Sequence, residues 1–98
     1  LEVNVLIFRK FSIDDCFHCK HIEKTWEELK DKFDQRNILF SSLKVDDKSP
    51  EVDKYMLFIF PCVIAEIEGK VVNRIEGVIP PIKLKQFVEE EVQKYESN

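Results

Sequence analysis

Between residues 19 and 33, Cys19, Ile22, Trp26, Leu29 and Phe33 recur at spacings of 3, 4, 3 and 4, which puts all five on one face of a helix. Short apolar runs flank this stripe on both sides. Residues 1–8 carry apolar side chains at 1, 3, 5 and 7 and then at 6 and 8 on the other parity, the pattern of a strand covered on both faces. Residues 38–45 are apolar at first and then alternate through Leu43 and Val45. Two strands joined through such a helix run parallel across a right-handed crossover. The expectation is therefore a first strand over residues 1–8, a connection over 9–15 with Asp14 or Asp15 as the helix cap, and a second strand over 38–45.

The second half follows a different grammar. Asp46-Asp47-Lys48-Ser49-Pro50 is turn chemistry that places Ser49 as a cap and Pro50 at the first position of a short helix ending near Leu57. Pro61 opens a third strand over residues 62–67, and Glu68-Gly69 turns it back into a fourth over 70–75. Gly77 ends that strand. Pro80-Pro81 starts a last helix whose inward stripe is Leu84, Phe87, Val88, Val92 and Tyr95. The order βαβαββα predicts an α/β fold, one four-stranded mixed sheet with helices on both faces.

Ninety-eight residues suffice for a single domain over 1–98 with one modest core. Fifteen Lys and Arg against nineteen Asp and Glu leave a net charge of −4 and no basic stripe, so nucleic acid is not an expected partner. The longest apolar stretch, residues 56–65, is interrupted by Pro61 and too short to span a bilayer, so no membrane insertion is expected. The chain begins at Leu1 rather than Met, with no signal-peptide pattern, and this reads as a processed end or as a domain excised from a longer chain. Three cysteines are too few for a disulfide framework, and a redox or metal role for two of them is the better expectation.

Two of the three stand in Asp15-Cys16-Phe17-His18-Cys19-Lys20 at the start of the helical stripe. Positions i and i+3 of a helix lie roughly 5–6 Å apart at Cβ, and a disulfide needs Cα atoms about 4.4–6.8 Å apart, so Cys16 and Cys19 can open and close one bond locally. The stripe turns Cys19 inward and leaves Cys16 at the helix start, where it can meet solvent. The thiolate is the attacking species. Unpaired backbone N–H groups at the helix start and a protonated His18 favour it, while Asp14 and Asp15 oppose it.

Cys16-Phe17-His18-Cys19-Lys20 after a buried strand, in this order of elements, resembles the thioredoxin superfamily. Val45-Asp46-Asp47-Lys48-Ser49-Pro50 resembles the end of that family's second strand, Phe60-Pro61 falls where the family has its cis-proline, and Gly69 and Gly77 fall where its hairpin and post-strand glycines sit. The resemblance implies a minimal thioredoxin-like fold and a thiol–disulfide oxidoreductase of protein disulfide isomerase or thioredoxin type. It implies Cys16 and Cys19 as catalytic residues, His18 and Pro61 as supporting ones, and no cofactor beyond the dithiol. The partners it implies are disulfide-containing client proteins and a reductase or oxidase, in the endoplasmic reticulum lumen or the cytoplasm. Three features depart from the family. The strand and helix that precede the motif's strand in longer thioredoxins have no counterpart in the fifteen residues before Cys16. Asp15 stands in place of a tryptophan, and Lys10 in place of a buried acid.

Residues 56–60 are continuously apolar, and Phe60 is expected to join Phe17 in an apolar lip that binds substrate beside Cys16. Cys62 reads as a small buried hydrophobe. Grouped with Cys16, Cys19, His18 or His21 it would instead be a zinc or iron–sulfur ligand, although no metal is expected at the site. The alternative from another functional class is a non-catalytic thioredoxin-like binding module of a multidomain chaperone-type protein.

Overall fold

The computed structural model describes residues 4–35 and 37–97. Four strands, β1 (Leu6–Ser12), β2 (Ile38–Lys44), β3 (Cys62–Ile67) and β4 (Lys70–Glu76), form one sheet in the order β2-β1-β3-β4. β1 and β2 are parallel, β1 and β3 antiparallel, and β3 and β4 antiparallel. The helices are α1 (Phe17–His21), α2 (Glu23–Phe33), α3 (Pro50–Lys54) and α4 (Pro81–Glu96).

The two sheet faces are covered unequally. Leu6 and Phe8 of β1 and Val63 and Ala65 of β3 pack beneath Ile22, Trp26 and Leu29 of the α1–α2 segment and Leu84, Phe87, Val88 and Val92 of α4. On the other face Phe11, Cys62 and Ile64 meet Val45, Tyr55 and Leu57, with Val52 of α3 and Phe60 packed alongside. Period-two alternation along β1 and β3 divides the side chains between these cores. Helices therefore lie on both faces, three of them on one.

The first strand ends four residues later than its apolar run suggests: residues 1–3 fall outside the described residues, the strand begins at Leu6, and Arg9, Lys10, Phe11 and Ser12 are strand rather than connection. Both charges are accommodated by distant partners. Arg9 donates from Nε and Nη2 to the two carboxylate oxygens of Glu66, at 3.2 Å each. Lys10 is buried with its ammonium 5.4 Å from the centre of the Trp26 ring.

α3 ends at Lys54 rather than near Leu57, because Met56 takes a left-handed φ of 53° and Leu57 N–H turns back to the carbonyl of Val52 at 2.9 Å, a helix stop that usually employs glycine. Ser49 holds the cap position, but its hydroxyl accepts from Asp46 N–H at 2.9 Å instead of from the helix. Glu68 and Gly69, at φ 51° and 76°, make the two-residue turn between β3 and β4. The last helix buries Glu91 as well as its apolar stripe, and the carboxylate accepts from Asn73 at 3.0 Å and pairs with Lys94 at 3.2 Å.

Candidate active site

The sheet register gathers the site at one end. Phe11 pairs with Cys62 and Cys62 with Glu76, so the chain leaving β1 toward Cys16, the chain entering β3 through Pro61, and the chain leaving β4 at Gly77 share one edge. Asp15 makes the last turn with φ 55°, a conformation aspartate tolerates better than most residues.

Cys16 itself, rather than Asp14 or Asp15, is the cap of α1: Cys19 N–H points at Cys16 Sγ at 3.1 Å and Lys20 N–H bonds to the Cys16 carbonyl at 3.2 Å. Asp14 is turned outward to Lys44 at 3.1 Å. The two cysteines form a disulfide with Cα atoms 5.2 Å apart. Cys16 is half-buried and Cys19 only 4% exposed, so a reagent from solvent meets the first sulfur and not the second. The segment read as one helix breaks at Ile22, at φ −101° and ψ 0°, so that α1 carries the buried Cys19 and Ile22, part of the larger core, joins the cysteine turn to α2.

Phe17, between the cysteines, is 74% exposed, with its ring stacked on His21 and edge-on to His18. Pro61 is buried, its peptide bond to Phe60 is cis, and its carbonyl accepts from Gly77 N–H at 3.0 Å. Phe60 is half-buried, partly packed against the Phe11 and Tyr55 cluster, and Met56, Phe58, at 76%, and Ile59 are the exposed apolar residues of this segment. A continuous apolar stretch without periodicity gives no sign of which side chains turn in.

Cys62 is fully buried, with Arg74 Nη2 at 3.4 Å. Burial pushes its thiol up, and the adjacent guanidinium only partly opposes this. Among the described residues no three or more His, Cys, Asp or Glu side chains are grouped to hold a metal ion.

The Thioredoxin family model matches residues 2–90. The chain belongs to the thioredoxin family. Solved structures agree with that placement. Oxidised thioredoxin from Plasmodium falciparum is 24% identical with a TM-score of 0.77, and thioredoxin from Fasciola hepatica is 24% identical with a TM-score of 0.76. The germline-specific thioredoxin Deadhead from Drosophila melanogaster is 20% identical with a TM-score of 0.78. Each alignment covers 88% of this chain and 80% of the other. At these identities the likeness establishes the fold. No curated protein matches the sequence significantly.

In this member of the thioredoxin family, two buried charges lie on opposite faces of the sheet. Lys10 lies on the cysteine-helix face, where burial lowers its pKa and Glu23 and Glu27 partly restore it. Glu66 lies on the α3 face, accepting from Arg9 and from the Tyr55 hydroxyl at 2.7 Å. Burial works against its charge, but the Arg9 guanidinium and the Tyr55 hydroxyl outweigh it and hold the carboxyl below its ordinary value. A lone Glu in the apolar run 62–67 is the one sequence signal of this network; nothing local marks Arg9 or Tyr55 as its partners.

Proposed function

We propose that the chain is a thiol–disulfide oxidoreductase acting on protein disulfides. The observation that carries this reading is the asymmetry of the pair: Cys16 half-exposed at the helix cap and Cys19 buried one turn further in.

In the reductive direction, the Cys16 thiolate attacks one sulfur of a client disulfide. That S–S bond breaks, a mixed disulfide forms, and the departing client thiolate takes up a proton. Cys19, after losing its own proton, attacks Cys16 Sγ; the Cys16–Cys19 bond forms and the second client thiolate leaves. Two electrons have passed to the client, and a partner reductase restores the dithiol. Run in reverse, the same steps oxidise a client dithiol, and an oxidase restores the disulfide. The helix-start N–H groups, of which Cys19 N–H already points at Cys16 Sγ, favour the anion the attack requires. His18, exposed between the cysteines, adds positive charge when protonated. A thiolate stabilised in the reduced form makes the disulfide more oxidising, which supports a protein disulfide isomerase-like role in donating or rearranging disulfides.

The client side of the site is apolar. Phe17 and the exposed flank of the 56–60 segment suit unfolded or hydrophobic polypeptide better than a small polar disulfide. The test is trapping. Cys19→Ser should accumulate client proteins joined to Cys16, released by reductant, and Cys16→Ser should accumulate none. Equal non-covalent capture of clients by both variants would instead establish a docking module whose cysteines do not turn over.

A further inference from the structure

We propose that Arg74 is a positioning residue for this site, a clasp that closes the base of the loop carrying Phe58, Ile59 and Pro61 and so presents its apolar edge to a client polypeptide. The proposal rests on the oxidoreductase reading only for its kinetic test.

Arg74 lies on β4 opposite Ile64, with its side chain over the α3 face of the sheet. Its guanidinium spans both ends of the loop. Nη1 donates to the Tyr55 carbonyl at 2.6 Å, and Nη2 to the Met56 carbonyl at 3.2 Å and to Cys62 Sγ at 3.4 Å. Glu76 Oε2 lies 3.6 Å from Nη2 and holds the cation from the strand side. Tyr55 is the last residue of the α3 stop and Cys62 is the first of β3, so one planar fork joins the point where the chain leaves the helix to the point where it enters the sheet.

The carbonyls it takes need donors. The last carbonyls of a helix have no partner within it and carry the negative end of its dipole, so a guanidinium is well matched to them. Met56 is held at a φ of 53° without being glycine, a conformation that persists only where the surroundings impose it. Among the described residues, no other side chain hydrogen-bonds to the backbone of residues 55–62. Arg74 Nε is buried with no partner at all, so the side chain is positioned for its terminal nitrogens at the expense of the third.

Beyond the clasp, Leu57 is buried in the α3-face cluster while Phe58 and Ile59 stand exposed. Ile59 rests near Gly77, where an added Cβ would lie 3.4 Å from its Cγ2, and the neighbouring Val78 is exposed. Gly77 N–H also holds the Pro61 carbonyl. Phe58 and Ile59 are thus the exposed apolar residues next to the proline, Ile59 reaching the chain at Gly77, and their placement depends on the loop base that Arg74 closes.

The experiment compares wild type, Arg74→Ala and Arg74→Lys on a protein disulfide and on a small aromatic disulfide. Removing the clasp should raise KM for the protein disulfide on the order of tenfold, with kcat and the small-disulfide KM moving by no more than about twofold. Arg74→Lys, which keeps the cation but not the fork, should fall between. In a Phe58→Ser, Ile59→Ser background the Arg74→Ala effect on KM should vanish, because the edge it positions is gone. Equal KM increases on both substrates, or an undiminished effect in that background, would overturn the proposal. Amide hydrogen exchange gives a readout free of turnover. Exchange at the Leu57 and Gly77 amides, which bond to the Val52 and Pro61 carbonyls at the two ends of the loop, should rise in Arg74→Ala while that of residues 17–33 stays unchanged, and unchanged exchange at both would remove the clasp even from a protein that turns over nothing. Wild-type protein idle on both disulfides would count against the oxidoreductase reading alone.

Discussion

Replacing Glu66 should cost more stability than any other single polar change on the α3 face, and the cost should depend on pH. Glu66 is 5% exposed and accepts three hydrogen bonds, two from Arg9 at 3.2 Å and one from the Tyr55 hydroxyl at 2.7 Å. Glu66→Ala leaves the buried Tyr55 hydroxyl without an acceptor, a loss of about 1–3 kcal/mol. The Arg9 side chain is 30% exposed and can turn to water, so its share is closer to that of a surface pair, roughly 0.5–1 kcal/mol. Loss of the buried methylenes adds about 1 kcal/mol. A total of about 2.5–5 kcal/mol corresponds to a fall in Tm of roughly 10–20 °C, at about 4 °C per kcal/mol for a domain near 100 residues.

The pH dependence separates charge from packing. The folded-state pKa of Glu66 lies below its ordinary 4.5, so between those two values the unfolded chain binds more protons and stability rises with pH. The contribution is complete above about pH 4.5 and is lost as pH falls through the folded value. Glu66→Gln keeps the shape and an acceptor but not the charge. Urea unfolding followed by circular dichroism should show it less stable than wild type at pH 7, with the gap narrowing below about pH 4.5. A Glu66→Gln protein as stable as wild type at pH 7, or a gap that is the same at pH 3, would refute the account.

Three further outcomes follow from groups near the site. Lys10→Met should be more stable than wild type at neutral pH, because burial disfavours the ammonium by more than the Trp26 ring returns. Wild-type stability alone should then rise with pH between the lowered folded pKa and 10.5, where the unfolded chain binds the extra proton. Gly77→Ala should cost about 1–2 kcal/mol in denaturant unfolding, since its φ of +88° strains any residue with a Cβ. In the reduced native protein iodoacetamide should label Cys16 first and leave Cys62 unlabelled until denaturant is added, as read by peptide mass spectrometry, because Cys62 is fully buried and its thiol is pushed up. Labelling of Cys62 at the rate of Cys16 would contradict its placement.

The order of elements and the cysteine pair were legible because both are written in short-range signals. The 3.6-residue stripe at Cys19, Ile22, Trp26 and Leu29, the Glu68-Gly69 turn and the proline starts at Pro50 and Pro81 each depend on neighbours within a few positions; the hairpin and the proline starts stand where those signals put them, while the stripe is divided between two helices at Ile22. The ends of β1 were not legible. Arg9 and Lys10 look like the close of a strand until Glu66 and Trp26 are brought beside them by pairing across the sheet and by the helix above it. The same holds for Glu91, which interrupts the stripe of α4 but is satisfied by Asn73 on β4. At the site, an uninterrupted apolar run such as 56–60 carries no period, so its sequence could not show that Leu57 and Phe60 turn in while Phe58 turns out.

The two halves of the site are held by different physics. The cysteine helix rests on Ile22, Trp26 and Leu29 packed over Phe8 and Leu6, a support made mainly of apolar area, with the buried Lys10 ammonium against Trp26. The proline loop springs from Tyr55, which is gripped at its hydroxyl by Glu66 and at its carbonyl by Arg74, so its support is a chain of charge-assisted hydrogen bonds from Arg9 to Arg74. Hydrophobic support tolerates repacking, whereas a buried hydrogen-bonded network fails when a single member is removed. The Cys16–Cys19 geometry should therefore survive most changes in the loop, and the loop should loosen on loss of either of the two residues that hold Tyr55.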